Sequence, residues 1–440
     1  MLFRFCLYGF LKNQRYFEPF LMLIFLDQNI SFFQIGLLIA VKELTVNLLE
    51  IPSGAIADST GRRGAMMLSF TAYIISFLVF AMSSSVWLYA FAMFLYGIGD
   101  TFRTGTHKAM IFEWLRLNDR TDEKTHVYGI TRSWSQIGSA ISGIIAAAFV
   151  FVSGDYRYVF WFAIIPYLIN LINFAGYPKS LDGAHAKSTS PERVWQRVTS
   201  TMRRAIVEPP IRRLMLETMT WEGYLAAIKD YLQPVLQVLA ITLFGYWFGT
   251  AGYYAIIDEA TPHMLPETQP VWFSDTRRVA IVIGLVYSMI FFLSAWASRN
   301  AERFRNRFGG SKPASVKLWM IQLLLFAALA TLAWFGISSG MIALFVCLIV
   351  LKNLWRPILI SRFDDLSSAE EGATMLSIES QARHGSTLVF APLIGLMVDG
   401  CSGELWAIGL FGLILSAGML IPAKSGKEVP AEEVSRSSTD

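Results

Sequence analysis

The sequence predicts an all-α integral membrane protein of about twelve transmembrane helices, arranged as two six-helix halves. Three observations carry that expectation. Of 440 residues, 54% are hydrophobic and only 16% charged, against roughly a quarter charged in soluble domains. Many apolar runs reach the roughly 20 residues needed to cross a bilayer. The lysines and arginines collect in alternate loops, as the positive-inside rule asks. Other classes are weakly served. Cys6, Cys347 and Cys401 have no CxxC spacing and no even framework, so neither disulfides nor a metal site is indicated. Met1 runs almost directly into an apolar segment with no small-residue cleavage site, so a cleaved signal peptide is not expected.

In chain order the spans fall near 3–28, 32–57, 65–84, 86–114, 128–152, 157–177, 212–238, 279–298, 315–337, 341–361, 373–399 and 402–422. In lipid every backbone group must be satisfied within the segment, so each span is expected as a helix. With the amino terminus inside, one set of loops holds Arg62, Arg63, Arg116, Arg120 and Lys124, then the basic linker and the run from Arg299 to Lys317. The other set holds little beyond Arg157, Arg277 and Arg278. Both termini are therefore expected in the cytoplasm, in a bacterial inner membrane or a plasma membrane. The stretch 241–257, "ITLFGYWFGTAGYYAII", is apolar enough to look like another span, but crossing there would turn the basic 299–317 loop outward. Residues 241–276 are instead expected as an external insertion, with Tyr246, Trp247, Tyr253, Tyr254 and Trp272 at the interface.

This divides the chain into a first six-helix bundle (1–177), a cytoplasmic linker (178–211), a second bundle (212–422) and a disordered cytoplasmic tail (423–440). In the linker, Ser190-Pro191 is a plausible helix start. Val194, Val198, Met202 and Ala205 then share one face, which fits an amphipathic helix on the anionic leaflet.

The fourth span raises the functional question. Asp100, Arg103, Thr104, His107 and Lys108 fall at i, i+3, i+4, i+7 and i+8, one stripe of a continuous helix. A charge at the bilayer centre costs at least about 2.5–3.5 kcal/mol, and such groups face a bundle interior or an aqueous cavity. Partners lie on other spans. Lys42, Glu43, Asn47 and Glu50 are on the second, Lys12, Arg15 and Glu18 on the first, and Arg132, Gln136 and Ser139 on the fifth. The seventh carries Glu217, Glu222, Lys229 and Asp230, the tenth Lys352, Asn353 and Arg356, and the eleventh Glu379, Arg383 and His384. Glu379 and Arg383, at i and i+4, are placed to pair along their own helix. Each choice has a plainer rival. Asp100 and Arg103 could neutralise one another, and Glu43, Glu50, Arg132 and Glu379 could be interhelical gates. Lys12 and Arg15 could lie on a surface helix ahead of a shorter first span, and the histidines could be packed core groups.

The halves also repeat. Setting Gly54 over Ser298 places Asp58 over Glu302, and much the same offset brings Gly138-Ser139 near Gly385-Ser386. A duplicated six-helix unit is a recurrent transporter plan, with the solute site between the halves. The loop Gly54, Ala57, Asp58, Gly61, Arg62, Arg63 resembles the signature loop between the second and third helices of the major facilitator superfamily. Twelve spans, the central linker and a degenerate second copy of the loop extend the resemblance over essentially the whole chain. The resemblance implies the superfamily fold and transport by alternating access. It also implies that Gly54, Asp58, Gly61, Arg62 and Arg63 form a gating motif, with Asp58 and Arg63 tying helices together at the cytoplasmic side. Ser59 departs from the pattern, where a basic residue is common, and "SQIGSAISGIIAA" lacks the proline of the superfamily's antiporter motif.

The inward cations Lys42, Arg103, His107, Lys108, Arg132, Lys229, Lys352, Arg356 and Arg383 outnumber the acids that obviously neutralise them. A small anionic or zwitterionic solute is the favoured cargo of that substrate pathway. Glu43, Asp100, Glu222 and Glu379 are the candidate proton carriers, with protons as a candidate coupling ion. No cofactor or metal and no nucleic acid is expected; the partners are a small molecule and the bilayer, and the chain is expected to work as a monomer. Efflux of amphipathic compounds or lipids is the alternative, and a non-transporting receptor or scaffold a minor one. Without HExxH or GxSxG, and with "GDTFRTGTHK" lacking the Gly-Lys of a phosphate loop, an enzyme is not expected.

Overall fold

The computed structural model describes residues 1–182, 199, 202–203, 206–248, 275–366 and 372–421, and these contain helices and no strand. Nine of the expected spans are single helices. They are the second (Phe32–Thr60), third (Arg62–Met82), fifth (Lys124–Ser153), sixth (Tyr158–Ala175), eighth (Asp275–Arg307), ninth (Ser311–Trp334), tenth (Ser338–Asp364), eleventh (Gly372–Gly400) and twelfth (Trp406–Leu420). Ser31 opens the second with a capping box: its hydroxyl accepts from the Gln34 N–H, and the Gln34 side chain accepts from the Ser31 N–H.

The first, fourth and seventh spans are broken. The first is two helices, Leu2–Leu11 and Leu21–Asp27, and Lys12, Arg15 and Glu18 sit between them. The charged residues thus mark an interruption inside the bundle, not a separate surface helix. The fourth was expected to be continuous, yet it divides into Val86–Arg103 and Thr106–Leu117. Gly105 between them has φ 81°, a left-handed conformation that glycine adopts without a Cβ penalty. The seventh begins at Pro209, widens into a π turn at Met219–Gly223, tightens to 3₁₀ at Lys229–Tyr231 and continues as Leu232–Phe248. Its first eight expected insertion residues, 241–248, are therefore helix, a correction of the expected boundary. Residues 249–274 of the insertion, most of the 178–211 linker with its expected amphipathic helix, and the 423–440 tail lie outside the described residues, while 275–276 open the eighth span.

Among the described residues, seven helices are individually long and apolar enough to cross a membrane: spans two, three, five, six, eight, nine and ten. The breaks account for the first, fourth and seventh. Glu379, Arg383 and His384 interrupt the eleventh, and the twelfth is 15 residues long. Large side chains such as Trp87, Ile172, Phe292 and Leu324 are exposed, a liability in water and a solvated state in lipid.

Helix packing shows the duplication directly. Span two packs on four and eleven, as eight packs on ten and five; three packs on six, as nine packs on twelve; one packs on five, as seven packs on eleven. Adding six to each number turns one set of neighbours into the other. The two halves meet along spans two with eleven and five with eight. At the end away from the termini this seam is tight. The N–H groups of Phe32 and Phe33 donate to Asp399 at 3.1 and 2.8 Å, and a Cβ on Gly36 would run into the backbone of Ala391 and Pro392. Close helix approach through small residues is how membrane helices gain packing energy without a hydrophobic drive. Gln233 closes the same end, accepting from the Met22 N–H at 2.8 Å and donating to the Glu18 carbonyl at 2.9 Å.

The second half is pinned by a buried clamp. Arg362 of span ten donates to both oxygens of Glu217 on span seven at 2.6 and 3.1 Å, and Trp319 of span nine donates to Glu217 at 3.4 Å. Removing one member of a buried pair strands the other charge, at about 3–5 kcal/mol. Glu217→Ala is expected to lower unfolding stability by about that amount in detergent, measured by chemical denaturation. The paired replacement Glu217→Leu with Arg362→Met is expected to recover most of it.

Candidate functional site

Two neighbouring cavities occupy the middle of the bundle. The larger, about 410 Å³, lies between the halves. Arg15, Lys42, Arg103, Lys229, Lys352 and Arg383 line it, with Glu18, Glu43, Glu50, Asp100 and Asp230 as its carboxylates and His384 beside them. The second, about 400 Å³, lies inside the first half between spans one, four and five. Lys12, Arg103, His107, Lys108 and Arg132 line that one, and no carboxylate does. Arg103 and Thr104 border both. The broken fourth span explains the arrangement. Its expected single stripe is divided at Gly105, so Asp100 faces the first cavity while His107 and Lys108 face the second.

The expected residues do not all do the same work. Asp100 and Arg103 neutralise one another, with Arg103 donating at 2.8 Å and the Tyr73 hydroxyl donating to the same carboxylate oxygen at 2.6 Å. Lys42 pairs with Glu43 at 2.6 Å, and Glu43 also meets His384 Nδ1, joining span two to span eleven across the seam. Asn47 repeats that link by donating to the Gln381 carbonyl at 2.8 Å. Lys229 reaches Glu18 at 2.9 Å, joining the broken segments of spans one and seven. His107 is buried, stacked on Tyr8 with 3.7 Å between ring centroids.

Two expectations are corrected. Glu379 does not pair along its own helix with Arg383. Arg356 of span ten clasps it in a two-pronged contact at 2.6 and 2.9 Å and also reaches Glu222 at 3.0 Å. A guanidinium fork matches a carboxylate's two oxygens better than a neighbour one turn away on the same helix. Arg356, Glu222 and Glu379 line neither cavity and form a clamp between spans seven, ten and eleven beside the site. The cations of the larger cavity are also closely matched by its acids, and the excess of positive charge lies in the second cavity. Two cations of the first are exceptions: Lys352 has no ion pair among the described residues, and Arg383 reaches Glu222 at 3.7 Å, outside the cavity lining. Sequence reasoning passed over Tyr73, an aromatic position in an apolar run, and Gln233, whose amide closes the seam. It also left Glu50 off the list of proton carriers. Glu50 lines the larger cavity, and its Oε2 is buried without a hydrogen-bond partner among the described residues.

The signature loop is tied to the start of the linker. The Arg63 N–H donates to Asp182 Oδ1 at 2.7 Å, and the Arg63 guanidinium donates to the Tyr177 carbonyl at 3.3 Å. Gly61, with φ 104°, lets Asp182 approach. The side chain of Asp58 lies outside what is described, and a Cβ on Gly54 would meet nothing.

A family model described as Major Facilitator Superfamily matches residues 5–378. The chain belongs to the Major Facilitator Superfamily. A segment of 90 residues is 30% identical to an uncharacterised MFS-type transporter, YxaM, of Bacillus subtilis (strain 168), covering 20% of this chain and 23% of that protein's length. Solved structures of the same architecture extend over nearly the whole chain. The nucleoside transporter NupG superposes with TM-score 0.68 at 12% identity over 95% of this chain and 96% of its own. A D-xylose–proton symporter does so with 0.64 at 15% over 97% and 98%. A POT family transporter bound to a thioalcohol-conjugated peptide gives 0.61 at 16% over 96% and 95%. At such identities the likeness concerns the superfamily fold.

The different uses of these charges are separable. Arg356→Gln strands two buried carboxylates and is expected to lower the thermal midpoint by several degrees and reduce monodisperse yield. Lys352→Gln removes a cation without a carboxylate partner and is expected to leave the midpoint unchanged or raise it. Thermal unfolding of both variants in the same detergent checks the contrast.

Proposed function

We propose that the chain is a secondary active or facilitative transporter that moves a small anionic or zwitterionic solute by alternating access around the larger cavity. The supporting observation is the lining of that cavity. Both halves contribute charged side chains to one cavity, and Lys352 and Arg383 line it together with the carboxylates of Glu50 and Asp230. A zwitterion can meet both signs at once, and in low dielectric such contacts are worth more than in water. The structurally similar nucleoside transporter, peptide-bound POT family transporter and D-xylose–proton symporter support transport of a polar molecule without naming this one. The seam is tight at the end away from the termini, while Thr104, Lys108, Arg132 and Gln136 are exposed. That pattern fits a state open toward the side of the termini, which in this reading is the cytoplasmic side of a bacterial inner membrane or a plasma membrane.

An apolar groove at the seam of spans five and eight, lined by Ile144, Ala147, Phe151, Ile281 and Leu285, favours the amphiphile reading. It touches none of the charged residues of the larger cavity, so the anion or zwitterion reading stands first. Should protons drive transport, Glu50 is the carboxylate of this cavity that can take a proton without breaking an ion pair.

In proteoliposomes, counterflow of an organic anion or zwitterion is expected, and Lys352→Gln or Arg383→Gln is expected to weaken its half-saturation by about tenfold. Transport confined to hydrophobic cations, equal in the wild type and both variants, would overturn the reading. Glu50→Gln is expected to flatten the pH dependence of net uptake while leaving counterflow intact; an unchanged pH profile would remove Glu50 from the coupling role.

A further inference from the structure

We propose that the second cavity, inside the first half, is a distinct anion site built for a phosphate monoester group; its place on a transport route rests on the reading above, while its binding chemistry stands alone. Lys12, Arg103, Lys108 and Arg132 line it without a carboxylate among them. Arg103 is committed to Asp100, whereas Lys12, Lys108 and Arg132 have no carboxylate partner among the described residues. Aromatic faces hold two of them: Lys108 Nζ lies 5.5 Å from the Phe112 ring and 5.4 Å from the Tyr128 ring, and Lys12 Nζ lies 5.5 Å from the Tyr8 ring. Such contacts steady a cation without neutralising it. Arg132 has no ion pair among the described residues.

Two further features point to an anion. The helix Thr106–Leu117 starts at this cavity, and its first turn has no side-chain cap. Its unsatisfied N–H groups and the positive end of its dipole therefore meet the same space, as half-helix ends meet anionic groups in other carriers. His107, 7% exposed, lines the cavity with its Nε2 buried and without a partner.

The charge balance chooses the anion. Lys108, Arg132 and the helix end together exceed what one carboxylate neutralises, with Lys12 as a further donor beside them. A phosphate monoester brings about −1.5 to −2 charge at pH 7 and three oxygens to share among them. At about 400 Å³ the space exceeds a phosphate group and leaves room for an organic remainder, and Arg103 and Thr104 also border the larger cavity.

The test is thermal unfolding of the purified full chain titrated with inorganic phosphate, glycerol 3-phosphate, succinate and acetate. A parallel arm places the chain in nanodiscs of phosphatidylcholine with or without phosphatidic acid. A ligand of the folded state raises the midpoint with concentration. Glycerol 3-phosphate is expected to do so, and acetate is not. Arg132→Gln and Lys108→Gln are each expected to weaken the apparent affinity on the order of tenfold, Arg132→Lys to restore part of it, and the surface control Arg116→Gln to leave it unchanged. Size-exclusion profiles confirm that each variant is folded, and the two independent positions guard against loss of either one. Stabilisation by phosphatidic acid alone would keep the phosphate chemistry but assign it to a lipid headgroup, overturning the solute form. Equal stabilisation of wild type and both variants by every dianion would show screening and overturn the site. A solute whose counterflow is lost in Lys352→Gln but unchanged in Arg132→Gln would leave the larger-cavity reading standing and this one refuted. No response to any anion, with no counterflow, would end both.

Discussion

The penalty for an unpaired charge in hydrocarbon governs this structure. A lone ionised group at the bilayer centre costs several kcal/mol, so each one must be paired, hydrated in a cavity or moved to a helix end. The chain uses all three solutions. Glu217 with Arg362, and Arg356 with Glu379 and Glu222, are buried pairs that fasten helices of the second half. Lys42, Glu43, Lys229 and Glu18 gather at a cavity between the halves. Glu113 and Arg116 pair in the last turn of the fourth span, with Arg116 exposed. Because the buried pairs of the second half are interhelical, charges that would oppose membrane insertion also select which helices meet there.

The broken spans follow from the same constraint. A continuous helix satisfies its own backbone and offers none of it to a solute; a broken one frees N–H and C=O groups, tolerable only where they face protein or water. The breaks at Lys12–Phe20, Thr104–Gly105 and Met219–Tyr231 all lie beside the two cavities. Spans one and seven occupy equivalent places in the two halves, and both are interrupted. Their interruptions meet through Lys229 with Glu18 and through Gln233 with the Glu18 carbonyl.

Much of this was legible from residue type and spacing, and the failures have physical causes. The spans, the duplication and the inward charges are set by hydropathy and by the cost of burying charge, which act locally along the chain. Partner choice is not local. The i, i+4 spacing of Glu379 and Arg383 says only that they share a helix face; Arg356 reaches across from span ten with better fork geometry. The break at Gly105 was hidden because Val86–Arg103 and Thr106–Leu117 read as one amphipathic stretch, and one glycine between two threonines was its only mark. Tyr73 and Gln233 carry no sequence pattern, because their roles depend on which helix stands opposite.

The seam between the halves joins these strands into a mechanism. At the end away from the termini it is closed by backbone packing around Gly36 and Ala391 and by Phe32 and Phe33 donating to Asp399. Nearer the centre it is held by side chains: Glu43 with His384, and Asn47 with the Gln381 carbonyl. Backbone packing is rigid and gives way only when whole helices move apart. The link between Glu43 and His384 is made by groups that also border the cavity, so a bound charge can compete for it. Lys42 pairs with the same Glu43 that holds His384. An anion drawing Lys42 into the cavity would alter the carboxylate that joins spans two and eleven. In the proposed cycle, solute charge and the contacts that hold the halves together are therefore balanced at one pair of helices.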